Sequence, residues 1–251
     1  MARQTGIDHA VGEYTIHADP DDYVEPRMLE EMYDVSKAQD ADILVCDFYS
    51  DKEDNNTNYV SQPITDNTIR GLVTSILRCK LHGSLWNKLA KRRIYTDYNA
   101  KFYPGINYSE DVLIWAQLAN KELKVAYLPK AYYHYVQNID GITYKMSPKL
   151  FEIQKKFLIK LNDTCVEKET IQVFAHRRKM DALKAGLLSR NEYYSFFPIK
   201  FHAIKYTIPA LDRLFGYIAY FHLYYTAKTI YIMAGKIQEN KYYKKLRQIN
   251  I

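Results

Sequence analysis

Hydrophobic and polar positions divide the chain into two regions. In the first, short alternating runs are interleaved with amphipathic ones. GEYTIHA (12–18) alternates and predicts a strand that ends in the acidic turn DPDD. Pro26 sits where a helix can begin, and Leu29, Met32, Tyr33 and Ser36 then recur at helical spacing. ADILVCDFYS predicts a strand whose Ile43, Val45 and Asp47 face away from Leu44, Cys46 and Phe48. Residues 51–63 are polar and read as a surface loop, and NTIRGLVTSILRCK reads as a helix. Ser109 is a candidate N-cap for a helix that buries Val112, Trp115, Ala116 and Ala119. KVAYLP and KAYYHYV read as two short strands.

The second region opens at Ser147-Pro148, a cap followed by a first-turn proline. Leu150, Ile153, Phe157 and Leu161 follow at helical spacing, and everything beyond reads as helix. The most apolar piece, LFGYIAYFHLYYTA (214–227), is short and is bracketed by Asp212, Arg213 and Lys228. It fits an interfacial or packing helix better than a membrane span. The expected organisation is an α/β sheet region over 1–146 and a helical, aromatic-rich region over 147–251.

Composition adds bounds. An apolar fraction of 47% over 251 residues supports a packed core. The formal charge of +6 is mild and dispersed; it does not point to nucleic acid, and suits an anionic surface or a phosphorylated ligand. Cys46, Cys79 and Cys165 are widely spaced and form no disulfide or zinc pattern, so buried structural thiols are expected.

Two acidic groups carry candidate chemistry. At a strand end Asp19 and Asp21 project to one side, which suits a hard divalent cation, while an acid-rich turn before a helix suffices by itself to explain them. Glu110 and Asp111 stand at a helix start, as dipole-stabilising acids or as a general base. His134, among aromatics in AYYHYV, reads as a packed side chain or a secondary ligand.

Jointly the segments resemble the middle of family 2 glycosyltransferases of the bacterial surface-polysaccharide kind. ARQTGIDHAVGEYTIHADPDDYVEP carries the resemblance through Ala2, Arg3, Gly6, Ala10, Gly12, Glu13, Tyr14, Asp19, Asp21, Asp22, Tyr23 and Pro26. ADILVCDFY, LWNKLAKRRIY, FYPGINYSEDVLIWAQL and VAYLPKAYYHYVQNIDGIT follow in order. Gln4 replaces the family's usual Asn, and Pro20 its usual Ser.

The resemblance implies part of a GT-A sheet domain followed by a helical region. It also implies inverting transfer from a nucleotide-sugar, UDP-linked by expectation, to a glycan or lipid-linked acceptor. By that analogy Asp21, with Asp19 and His134, ligates Mn²⁺ or Mg²⁺. Asp111, with Glu110 beside it, is the base. Arg3, Asp19, Asp22, Trp86 and Lys88 contact the donor, Lys88 at the diphosphate and Trp86 on a sugar face, with a core role for Trp86 equally open. The family's opening strands, of the types S-V-I-x-P-x-Y-N and N-D-G-S-x-D, have no counterpart here, so a truncated sheet with weak activity is expected. The implied setting is the cytoplasm at the inner membrane face, the aromatic helices serving a peripheral membrane contact or a homodimer. The competing reading is a non-catalytic remnant that docks through those helices.

Overall fold

The computed structural model describes residues 2–52, 56–138, 147–206 and 210–233. Ile139–Thr143 of the last family-like segment and the tail from 234 onward lie outside them. By internal contacts the chain divides into two compact units, Met1–Glu167 and Lys168–Ile251. Helix α6 (Pro148–Asn162) falls in the first.

The first unit opens with helix α1 (Ala2–His9) and is organised around a six-stranded mixed sheet. In chain order the strands are β1 (Tyr14–Thr15), β2 (Tyr23–Val24), β3 (Ile43–Asp51), β4 (Thr57–Val60), β5 (Lys88–Lys91) and β6 (Val125–Val136). Their spatial order is β1-β5-β3-β6-β2, with β4 forming a hairpin on β3. Strand β3 lies at the centre, parallel to β6 and antiparallel to β5. A strand covered on both faces needs apolar residues at consecutive positions, and Ile43, Leu44, Val45 and Cys46 are all fully buried.

Several expectations change. KVAYLP and KAYYHYV form one strand, β6, whose register slips against β3 around Asp47. Pro129 and Lys130 are the exposed residues at that irregularity, where a proline costs no ladder hydrogen bond. The predicted strand 12–18 shortens to Tyr14–Thr15. Helix α2 (Met28–Ala38) starts after Pro26, and its buried positions are Met28, Met32 and Ser36. Leu29 and Tyr33 are exposed, because the face that meets the sheet is the i, i+4, i+8 row from Met28. KLAK, expected to be part of a basic cluster, is strand β5. Cys46 is buried as expected, but Cys79 and Cys165 are exposed.

Helices α3 (Ile69–Leu77), capped by the Thr68 hydroxyl on Gly71 N, and α4 (Arg93–Asp97) link the strands. Helix α5 (Glu110–Gln117) packs on α3 and α6. It buries Val112, Trp115, Ala116 and Ala119 as predicted, and Leu113 and Ile114 besides. The layer between α2 and the sheet holds Met28, Met32, Leu44, Cys46, Phe48, Trp86, Leu89, Tyr132 and Tyr133. The Ser147 hydroxyl caps α6 and Pro148 occupies its first turn, as the sequence indicated.

In the second unit the described elements are helical: α7 (Lys168–Lys184), α8 (Arg190–Ser195), α9 (Phe201–Ile204) and α10 (Ala210–Tyr220). Helix α8 opens with a capping box between Ser189 and Glu192. Among the described residues no helix is long and apolar enough to cross a membrane.

Met32 is wholly enclosed between α2 and the sheet, so Met32→Ala should cost about 3 kcal/mol. Urea unfolding followed by circular dichroism measures this; a loss below about 1 kcal/mol would mean the layer is loosely packed.

Candidate active site

Three segments far apart in sequence converge on one cation. Arg3, on α1, donates from Nη2 to Asp19 Oδ1 at 2.7 Å and from Nη1 to Glu110 Oε1. The same Nη1 lies 3.4 Å from Asp111 Oδ1. The acidic turn and the start of α5 therefore share a counter-ion from the first turn of the first helix. Burial by itself would lower the Arg3 pKa, but Asp111, Asp19 and Glu110 together outweigh it and drive the value up. The guanidinium is permanently charged. Gln4, next to it, accepts from Phe102 N at 2.9 Å and so ties α1 to the segment leading into α5.

The turn is held from the opposite side. Tyr133, on β6, accepts from Asp19 N at 2.9 Å and donates to Asp22 Oδ2 at 2.7 Å. Asp22 Oδ1 accepts from Val136 N at 2.9 Å. Both Asp22 oxygens are thus engaged in anchoring the turn to the sheet. Asp19 and Asp21 lie in the turn rather than on a strand, since Asp22 N bonds back to Asp19 O at 3.2 Å. Asp21 is exposed and has no hydrogen-bond or ion-pair partner among the described residues.

Asp111 differs from the other carboxylates. Its Oδ2 accepts one long hydrogen bond, 3.3 Å from Leu85 N, and its Oδ1 is buried without any. Burial pushes its pKa up to about 7; Glu110 and Asp19 add to the rise and Arg3 opposes it. Ser109, which precedes α5, takes a left-handed conformation (φ 59°) and its side chain does not cap the helix. The expected cap is absent. The left-handed step turns the chain into α5, and Glu110 and Asp111 at its start are the two acids that meet Arg3.

His17 was not singled out from the sequence. Its ring packs edge-on against Phe102, and its Nε2 is buried without a partner. Burial, then the nearby Arg3 charge, lowers its pKa to about 4, so it is neutral at pH 7. The one signal available was its place two residues before Asp19.

Three further candidates are not brought to this constellation. Trp86 is 3% exposed and stacks on Tyr133 with centroids 4.4 Å apart, so it is core rather than sugar platform. Lys88 is 1% exposed. It donates to His82 O, Ser84 O and Asn87 Oδ1, and burial lowers its pKa to about 7; its ammonium organises the 82–87 loop and cannot reach a diphosphate. His134 is engaged at both ring nitrogens, by Asp51 at 3.0 Å and Glu25 at 3.2 Å, and is not placed with Asp21. No group of three or more His, Cys, Asp or Glu residues is arranged to hold a metal among the described residues. The free Asp21 carboxylate beside Asp19 does fit a hard cation whose remaining ligands are water and phosphate oxygens.

The sheet, the acidic turn at its edge and the paired carboxylates at the start of α5 define the class: a GT-A glycosyltransferase fold. Residues 1–100 match the model of Glycosyl transferase family 2. The cholesterol galactosyltransferase of Borreliella burgdorferi is 27% identical over 158 residues, 58% of this chain and 44% of its own length. The uncharacterized glycosyltransferase EpsJ of Bacillus subtilis is 27% identical over 203 residues, 74% of this chain and 58% of its own length. The chain spans about half the length of the curated relatives it matches. In structure it is similar to S. aureus TarS 1–349 in complex with UDP-GlcNAc, with a TM-score of 0.66 and 15% identity over 93% of this chain and 71% of that one.

Because the Asp111 pKa lies near 7 against an unfolded value near 3.8, the folded chain binds the extra proton between those limits. The carboxyl therefore stabilises the fold below about pH 3.8, and that stability is lost as pH rises to 7. Asp111→Asn should accordingly become progressively more stable than wild type between pH 4 and 7, by paired thermal melts. A pH-independent difference would place the wild-type pKa near its ordinary value.

Proposed function

We propose that this chain carries the metal- and acceptor-side half of a sugar-transfer site, moving a sugar from a UDP-linked donor to a glycan or lipid-linked acceptor with inversion. The observation that carries this is the Arg3-held convergence of Asp19 with Glu110 and Asp111, which leaves Asp111 Oδ1 buried and unbonded and Asp21 free. The match of residues 1–100 to the family model and the UDP-GlcNAc complex of the similar TarS structure support a nucleotide-sugar donor.

In this reading Asp111 is the general base. Its pKa near 7 suits it to take a proton from an acceptor hydroxyl at physiological pH. The freed oxygen attacks the anomeric carbon as the bond to the donor's phosphate oxygen breaks, and the electron pair leaves with the diphosphate. Arg3 keeps Asp19, Glu110 and Asp111 from repelling one another and sets the approach of α5 to the turn. Asp21 and Asp19 would hold Mn²⁺ or Mg²⁺, which when bound neutralises charge on the diphosphate. Neutral His17 presents an unpartnered buried nitrogen beside Asp19, suited to a donor oxygen or hydroxyl.

The second unit suits work at the cytoplasmic membrane face. Phe221, Leu223, Tyr225 and Met233 are exposed, and the one acid between 196 and 233, Asp212, is buried while Lys200, Lys205, Arg213 and Lys228 surround it in sequence.

Thermal unfolding with Mn²⁺ and UDP should rise in wild type by mass action, and Asp21→Asn should abolish the rise. An equal rise in both proteins would remove Asp21 from the site. With donor and acceptor supplied, Asp111→Asn should lower kcat by about 10²–10⁴-fold, and the wild-type rate should fall as pH drops below about 7. Retained activity in that variant would exclude Asp111 as the base.

A further inference from the structure

A second ordered surface lies on the other face of the sheet. Tyr23 on β2 pairs in register with His134 on β6, His134 with Tyr49 on β3, and Tyr49 with Tyr59 on β4. Their rings touch in that order. Tyr23 stacks on His134 at 4.2 Å, His134 on Tyr49 at 4.6 Å, and Tyr49 meets Tyr59 edge-on at 5.7 Å. Three strand steps make this ladder roughly 14 Å long. Tyr133, the neighbour of His134, points the opposite way, toward Trp86 and the acidic turn.

The end rings are both exposed and fixed. Tyr23 is 54% exposed and Tyr59 52%. Tyr23 donates to Asp51 Oδ2 at 2.7 Å, and Tyr59 donates to Asp47, which also accepts from Tyr127 at 2.7 Å. Asp47 is buried, a cost that core packing alone does not require. Asp51 also accepts from Thr57, and Glu25 flanks His134. Among the described residues strand β2 is the last in the sheet order, so the outer face of Tyr23 meets no further strand there. Among the described residues no Lys or Arg forms or holds the ladder, which disfavours phosphates, nucleotides and anionic headgroups. Rings held rigid beside fixed carboxylates fit the apolar faces and hydroxyl edges of neutral sugars.

We propose that Tyr23 and Tyr59, the exposed ends of the ladder braced through Tyr49 and the buried His134, form a binding surface for an uncharged glycan, the extended part of the acceptor. Its identification as acceptor rests on the transferase reading; its binding does not. Tyr23 directly follows the acidic turn in sequence, which puts one end of the ladder at the sheet edge that the turn leads into.

The test is saturation-transfer NMR on the full chain with maltotetraose, cellotetraose and chitotetraose, without UDP or metal. At least one tetrasaccharide should show transfer, reduced tenfold or more in Tyr23→Ala and in Tyr59→Ala. The latter truncates only the outermost ring, on the hairpin strand, and protects the test against misfolding of the former. The Mn²⁺–UDP thermal rise should persist in both variants. Absence of transfer from all three sugars, or transfer undiminished in both variants, overturns the proposal. So does transfer to a Lys-rich peptide alone, which would make the surface a protein-docking site. Sugar binding without any Mn²⁺–UDP rise would sink the transferase reading and keep the surface; the rise without sugar binding would do the reverse.

Discussion

The first unit's acidic cluster depends on one guanidinium. Asp19, Glu110 and Asp111 come from a turn and a helix start that, among the described residues, have no other shared countercharge in direct contact. Without Arg3 three carboxylates would face one another in a half-buried space, and like charges there would drive protonation or separation. With it, Asp19 and Glu110 are hydrogen-bonded to the guanidinium, while burial pushes the third, Asp111, up to about 7. The same contact docks α1 on the remainder of the unit, so charge balance and tertiary structure are one constraint.

That constraint sorts the carboxylates by job. Asp22 is consumed by Tyr133 and Val136 and can only anchor. Asp19 is shared between Arg3 and the turn. Asp21 is uncommitted, and the Asp111 Oδ1 is buried but unbonded. The reading of these acids as helix-start and turn residues accounts for Asp22, both of whose oxygens anchor the turn, whereas the Asp111 Oδ1 has an ion pair with Arg3 but no hydrogen bond, a costly arrangement for a buried oxygen.

Much of the fold was legible from periodicity because its elements bury continuous or regularly spaced apolar faces. β3, α3, α5 and α6 are of this kind. β5 was not, because its interior position is a lysine, and nothing in KLAK announces that Lys88 has its three donors satisfied by carbonyls. β6 read as two strands because Pro129-Lys130 interrupts the pattern where the register slips. Within the site, Arg3, Asp19 and Asp111 were reachable through the family-like segments. His17 and Tyr133 were not, since their significance lies in contacts more than eighty residues away or in the absence of any. For Trp86 the sequence left sugar face and core open, and for Lys88 it suggested an available cation; burial is what the sequence does not show, and both side chains are enclosed.

Tyr133 joins two worlds that are usually kept apart. Its ring is clamped under Trp86 in the apolar layer, while its hydroxyl fixes the backbone of Asp19 and the side chain of Asp22. The position of the acidic turn is therefore written partly in the packing of an indole that touches no ligand. In a screen for loss of function, substitutions at Trp86 would score alongside those of the acidic turn itself. A map of this protein drawn from such a screen would be larger than its active site, and its outline would follow the stack rather than the chemistry.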